Sequence, residues 1–261
     1  MGDAVDTTTF HVIGDICLVK FRDELTLPRK REEARRIQIL VHVKTVCELQ
    51  GIEGELRTPI VRKLLGGETV TVHKEHGVLY KLDVAKIMFS KGNVNERQRL
   101  TGLVQRNERI LDMFAGIGYF TLPLAKTALP REIVACEKNL VAYHYLKENI
   151  VLNKVGGVIP LRRDCRTLTY HHAFDRILMG YFPGTETFLP HALRMTKPGG
   201  TIHYHNIYRE DELWDAPHKH IADACAAAKR TFRVLNEHVV KSYSPHVLHV
   251  VVDVAIDGKK E

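Results

Sequence analysis

A chain of 261 residues, 44% hydrophobic and 26% charged, suits one large soluble domain or two small ones. No apolar run approaches the roughly 18 residues of a membrane span, and five scattered cysteines without a C-x-x-C pair argue for a reducing cytosol and against a disulfide framework or structural zinc. The net charge of +7 is spread along the chain, 17 basic against 14 acidic residues up to position 100 and 21 against 17 beyond it; this excess is compatible with a nucleic-acid partner without establishing one.

In chain order, the N-terminus lacks a basic stretch followed by an apolar core, so no secretory signal is expected, and Asp6 stands where a myristoylation site wants Ser or Thr. Residues 10–21 read as a β-hairpin, or a strand, with a turn at Gly14 and Asp15. Residues 28–49 read as one helix, with Ala34, Ile37, Leu40, Val41 and Val43 on or near one face. Arg29, Lys30, Arg31, Arg35 and Arg36 cluster at its start, where positive charge opposes the macrodipole, so solvent or an anion must accommodate them. Strands follow at 69–73 and 78–83, joined through Glu75, His76 and Gly77. Residues 85–100 cross to a second domain, which gives a small α+β domain over 1–84 and a larger one over 85–261.

The larger domain alternates strands (109–113, 133–137, 158–162, 176–179, 201–206) with helices, the signature of a mostly parallel sheet. Leu140, Tyr143, Leu146, Ile150 and Val151 line one face of one helix; Phe188, Leu189, Ala192, Leu193 and Met195 line one face of another, which Pro198-Gly199-Gly200 stops. A helix over 211–230 precedes strands 232–243 and 246–256, linked too tightly for anything but antiparallel pairing. A parallel sheet ending in an antiparallel hairpin is the arrangement of an α/β, Rossmann-like class I transferase dependent on S-adenosylmethionine (SAM).

The site reading starts at the sequence DMFAGIGYF over 112–120. Gly116 and Gly118 let the backbone approach a ligand closely. Glu137, nineteen residues after Gly118, ends the second strand and can accept both hydroxyls of a ribose. The pattern is G-x-G-Y-F, not G-x-G-x-x-G, so no pyrophosphate cradle is implied, and a nucleoside without phosphates, SAM, is favoured over NAD. Asp164, before Cys165 at the end of the third strand, can accept the adenine amino group, or simply start a turn. After the fourth strand Gly180 leaves room for a target base, and Tyr181 and Phe182 offer stacking faces, or pack as a core pair. His203 and His205 share one strand face, but no third ligand accompanies them and no metal is expected. His218, His220, His246 and His249 read as surface or interface residues. Arg97 could hold the methionyl carboxylate of SAM in a two-pronged pair, with Ser90 on the same group or on the amine, or it could form an ion pair between domains. No general base stands out.

The segments KIMFSKGNVNER (86–97), DMFAGIGYF (112–120), KSYSP (241–245) and GIEGELRTP (51–59) together resemble the wybutosine-pathway tRNA enzymes, over roughly residues 10–256. One branch of that family methylates N1 of the guanine 3′ to the anticodon; the other moves the 3-amino-3-carboxypropyl group of SAM onto C7 of 4-demethylwyosine at the same place. The methylase branch carries an Asn-Pro-type motif after the fourth strand and a Pro-Arg before its Glu-Arg; here stand Met179-Gly180-Tyr181 and Lys91-Gly92-Asn93, which look like the archaeal aminocarboxypropyl branch. The resemblance implies SAM binding by Ser90, Arg97, Glu137, Asp164 and Cys165. It implies a tRNA substrate, no DNA or membrane partner, a monomer, a cytoplasmic location and no extra N-terminal tRNA-gripping domain. A methylase at the same base and a non-catalytic SAM-fold subunit that binds tRNA are the competing expectations.

Overall fold

A computed structural model describes residues 7–22 and 24–259; residues 1–6, part of the stretch read for targeting signals, lie outside the described residues. Contacts divide the chain between Ser90 and Lys91, rather than between 84 and 85 as expected from sequence.

In the first unit, β1 (Thr7–Ile13) and β2 (Ile16–Phe21) form the expected hairpin. Strand β2 then runs parallel to β3 (Thr45–Glu53), a pairing that requires a crossover, and helix α1 (Leu27–Val41) supplies it. Strand β4 (Thr58–Leu65) completes the order β1-β2-β3-β4, and β5 (Val70–Glu75) pairs with β6 (Val78–Asp83) as a separate hairpin. The helix expected over 28–49 is therefore too long. It ends at His42, which takes a left-handed φ of 53°. The β-branched residues beyond it, Thr45 and Val46, enter β3 and the core instead. Leu40, expected on the apolar face, is 60% exposed. The arginine cluster divides: Lys30 is buried on Glu48 at 2.5 Å, Arg29 and Arg36 pair with Glu32 and Glu33, and Arg31 and Arg35 face solvent.

In the second unit, helix α2 (Val94–Leu103) occupies part of the stretch read only as a crossing. The strands are β7 (Arg109–Asp112), β8 (Glu132–Cys136), β9 (Val158–Leu161), β10 (Phe174–Met179), β11 (Thr196–Arg209), β12 (Arg230–Ser244) and β13 (Val247–Lys259), in the order β12-β13-β11-β10-β7-β8-β9. The five strands β9-β8-β7-β10-β11 are parallel, and β13 inserts antiparallel between β11 and β12. Strand order reverses at β7, so the crevice past the ends of β7 and β10 is where such a sheet takes a ligand.

The glycine turn leads into a short helix α3 (Thr121–Pro123), continued as one π-helical turn over Leu124–Ala128, rather than a long regular helix. The others are α4 (Leu140–Leu152), α5 (Leu189–Met195) and α6 (Asp215–Ala227). Helix α6 is shorter than the expected 211–230 because Glu210–Glu212 form a separate 3-10 turn. Helix α5 ends at Met195 without Pro198-Gly199-Gly200, which lies inside β11 at an irregularity of its pairing with β10. Adjacent strand residues point to different cores. Leu111, Val134 and Ile177 pack with α5 and α6, while Ile110, Ile133 and Leu178 pack with Leu100, Phe120 and Leu124, so helices cover both sheet faces. Among the described residues no helix is long and apolar enough to cross a membrane.

Candidate active site

The glycine turn lies between two carboxylates. Asp112, fully buried at the end of β7, accepts the Thr121 hydroxyl at 2.8 Å and the Phe114 N–H at 3.3 Å. Burial pushes its carboxyl up to about 6, with the nearby Glu137 charge acting in the same direction. Glu137, at the end of β8, accepts the N–H of Gly116 at 2.8 Å and of Asn139 at 2.7 Å. Burial raises it too, opposed by those backbone donors. A carboxylate has about four acceptor positions; the backbone of Gly116, Asn139 and Lys138 draws on some of them, and a ribose would use the rest.

Gly116 and Gly118 have φ of +57° and +100°, which a side chain would strain. At Gly118 a Cβ would fall 2.6 Å from Leu122 Cγ, so this glycine allows α3 to close onto the turn. The N–H groups of Gly116, Gly118 and Tyr119 bond to Glu137, Ala115 and Ala115 respectively. These donors are engaged within the protein, which fits a ligand without phosphates.

Asp164 follows β9 and caps the 3-10 turn Cys165–Thr167. Arg166 meets both of its oxygens, at 3.0 Å through Nε and 2.5 Å through Nη2, and holds the carboxyl down at about 2. With the Arg166 N–H also on Oδ1, Asp164 has limited acceptor capacity left for an adenine. Cys165 is buried in the core beside Met113 and Cys136, and burial lifts its thiol to about 12, so it offers a neutral packing surface. Gly180 lies against Phe120: a Cβ there would sit 2.6 Å from Phe120 Cε2. Tyr181 stacks on Phe114 with centroids 5.1 Å apart and meets Phe188 edge-on. Phe182 packs on His249 at 4.2 Å.

Arg97 is buried on α2, 3% exposed. Ser90 ends the first unit and is described only within it. The structure thus brings Gly116, Glu137 and Asp112 together directly. It sets Asp164 and Cys165 past the end of β9, the strand beside β8, and Gly180 and Tyr181 past the end of β10, the strand on the other side of β7.

Residues 71–235 match the TRM5/TYW2 methyltransferase domain, and residues 5–69 the TYW2 N-terminal domain. The chain belongs to the TRM5/TYW2 family. It is 43% identical to the tRNA(Phe) (4-demethylwyosine(37)-C(7)) aminocarboxypropyltransferase of Methanocaldococcus jannaschii, over 94% of this chain and 96% of that one. It is 34% identical to the tRNA (guanine(37)-N(1))-methyltransferase Trm5b of Pyrococcus abyssi, over 94% of this chain and 74% of that one. The crystal structure of P. horikoshii TYW2 in complex with MeSAdo superposes with a TM-score of 0.87 at 38% identity, covering 97% of this chain and 92% of that one. The sheet order is accordingly that of the class I SAM-dependent transferases, and SAM is the co-substrate of the TRM5/TYW2 fold.

Beyond the residues expected from sequence, the site holds others in this TRM5/TYW2 frame. Asn139 caps α4, accepting the N–H groups of Val141 and Ala142, while its own N–H fixes Glu137. An Asn before an apolar helix is a readable signal. His249, expected at the surface or an interface, is buried on β13, with Nε2 3.2 Å from His205 Nδ1. His220 is half-buried and bonded to the Tyr208 hydroxyl at 2.8 Å. Both ring nitrogens of His203 are engaged, by Asp253 and Arg176. Among the described residues no group of three potential metal ligands assembles.

Proposed function

We propose that this chain transfers the 3-amino-3-carboxypropyl group of SAM to C7 of 4-demethylwyosine in tRNA(Phe). The observation that carries this reading is the match along nearly the whole of both chains to the M. jannaschii aminocarboxypropyltransferase. The sulfonium of SAM has three electrophilic carbons, and the one that reacts is the one placed about 3–3.5 Å from the nucleophile and in line with it. In this reaction C7 attacks the γ-carbon of the amino-acid arm. The C–S bond breaks, its electron pair neutralises the sulfonium and leaves methylthioadenosine, and the C7 proton passes to water. The electron-rich tricycle supplies the nucleophile, so the step needs no strong protein base.

Glu137 takes the ribose hydroxyls over the turn at Gly116 and Gly118, and Asp164 and Cys165 lie on the adenine side. Arg97 holds the arm's carboxylate, an assignment that rests on the sequence resemblance, as does that of Ser90. Gly180 and Tyr181 face the acceptor base. The enzyme acts as a cytoplasmic monomer on tRNA.

Incubation with SAM and tRNA carrying 4-demethylwyosine tests the reading. Methylthioadenosine as the by-product supports it, and S-adenosylhomocysteine assigns the chain to methyl transfer instead. Neither product, from protein that binds SAM, counts against this substrate.

A further inference from the structure

Helix α2 carries Arg97, yet it is poorly equipped to hold its own position. It has ten residues, below the length at which a helix is stable alone, and its buried residues are Glu96, Arg97 and Leu100. One apolar side chain provides little hydrophobic anchoring. A chain of buried charges takes its place.

Arg99 donates to Glu96 on its own helix, at 2.7 and 2.8 Å, and to both oxygens of Asp253 on β13, at 2.6 and 3.2 Å. Asp253, 3% exposed, also takes His203 Nδ1 at 2.5 Å from the directly paired position of β11. Arg176 on β10 lies 2.6 Å from His203 Nε2. An arginine only donates, so Nε2 accepts, the proton sits on Nδ1, and the neutral ring passes the bond on to Asp253. Burial favours that neutral ring. Arg176 is forked onto Glu108 at 2.6 and 2.8 Å, and its Nη2 donates at 3.1 Å to the carbonyl of Leu103, the last residue of α2. The network therefore grips the helix in its middle and at its end. His238 on β12 adds a contact at 3.0 Å to Glu96.

Burying this many charges is costly, and apolar packing of the same volume often gives as much stability. What charges add is a single register, because a forked arginine accepts one geometry. We propose that Arg99 and Asp253 are positioning residues that fix Arg97, and through it the orientation of the aminocarboxypropyl arm of SAM. The proposal rests on Arg97 holding the arm's carboxylate. It places determinants of which carbon reacts on residues that do not touch SAM.

The test compares the affinity of SAM with that of methylthioadenosine, which lacks the arm, by calorimetry on the full chain. Asp253→Asn keeps an acceptor for His203 and removes the charge facing Arg99. It should weaken SAM binding about tenfold and leave methylthioadenosine within twofold, which also shows that the variant is folded. Arg99→Gln should do the same, with partial recovery in Arg99→Lys. Adding Asp253→Asn to Arg97→Ala should cause no further loss for SAM.

Two results overturn the proposal. One is equal weakening, or none, for both ligands in Asp253→Asn and Arg99→Gln while Arg97→Ala is selective for SAM; Arg97 then keeps its role and the network is structural. The other is Arg97→Ala binding SAM as the wild type does, which removes the reading of Arg97 and the positioning role with it.

Discussion

Replacing Glu137 by Gln tests the proposed ribose contact separately from the arm. The two carboxylate oxygens accept the N–H groups of Gly116 and Asn139 at 2.8 and 2.7 Å. A carboxamide has one carbonyl oxygen and an NH2, so one of those backbone donors comes to face another donor. The NH2 end also cannot accept from a ribose hydroxyl. Losing one hydrogen bond to a charged group costs about 1.5–3 kcal/mol, or roughly ten- to a hundredfold in affinity. Both SAM and methylthioadenosine carry the ribose, so Glu137→Gln should weaken them equally, unlike the arm-selective variants. Folding should suffer less than binding. Burial raises the Glu137 carboxyl, so its charge is incompletely compensated in the folded protein and the neutral amide relieves that penalty. Titration calorimetry with each ligand and a melting curve measure these effects. Wild-type affinity for both in folded protein would refute the ribose assignment, and loss confined to SAM would move Glu137 to the arm.

Gly118→Ala should cost about 1–3 kcal/mol from the φ of +100° and the clash with Leu122, lowering the melting midpoint by several degrees; an unchanged midpoint would show that the turn tolerates a side chain. Lys30→Met leaves Glu48 buried with Arg62, 3.8 Å away, as its one ion-pair partner among the described residues and should lower the denaturant midpoint by an amount equivalent to about 3–5 kcal/mol; the added Glu48→Leu should recover much of it, and no recovery would mean that the loss is one of packing. The Asp112 carboxyl, at about 6 when folded, lies above its unfolded value, so the native state holds the proton longer. Its contribution should therefore fall as pH rises from about 4 to about 6, by roughly 3 kcal/mol. Asp112→Asn, which can still serve Thr121 and Phe114, should remove that part of the pH slope in equilibrium unfolding, and an unaltered slope would assign it elsewhere.

Local patterns carry the nucleotide half of the site. A strand, a glycine turn and an acid lie within 26 residues, 112 to 137, and sterics at Gly118 with hydrogen bonding at Glu137 make them one object. The first unit is less legible, because periodicity does not separate a helix that continues from one that stops before a buried strand. Leu40, Val41 and Val43 extend the helical pattern, while His42 breaks it with a backbone conformation that its residue type does not announce. The run Thr45-Val46-Cys47 holds the competing signal, β-branched residues entering a core strand.

The proposed control of the arm is illegible for a different reason. Arg99 and Asp253 are 154 positions apart, and each looks ordinary where it stands. The clue lies in β13, where His249 precedes, and Asp253 interrupts, a run that is otherwise valine from 250 to 254. Polar residues at fully buried strand positions need partners, and those partners have to come from another element. Strand β11 supplies His205 to His249 and His203 to Asp253, and helix α2 supplies Arg99 to Asp253, although its sequence reads only as a passage between domains. If the choice among three carbons of one sulfonium depends on how the arm lies, then a motif shared by both branches of the family cannot decide it alone. Arg97 could serve a methyl transfer as well as an aminocarboxypropyl transfer. On the proposal made above, the difference lies in where the helix carrying Arg97 is held and in the residues just past β10, so variants in the Arg99–Asp253 pair and at Gly180 and Tyr181 should shift product ratio before they abolish turnover.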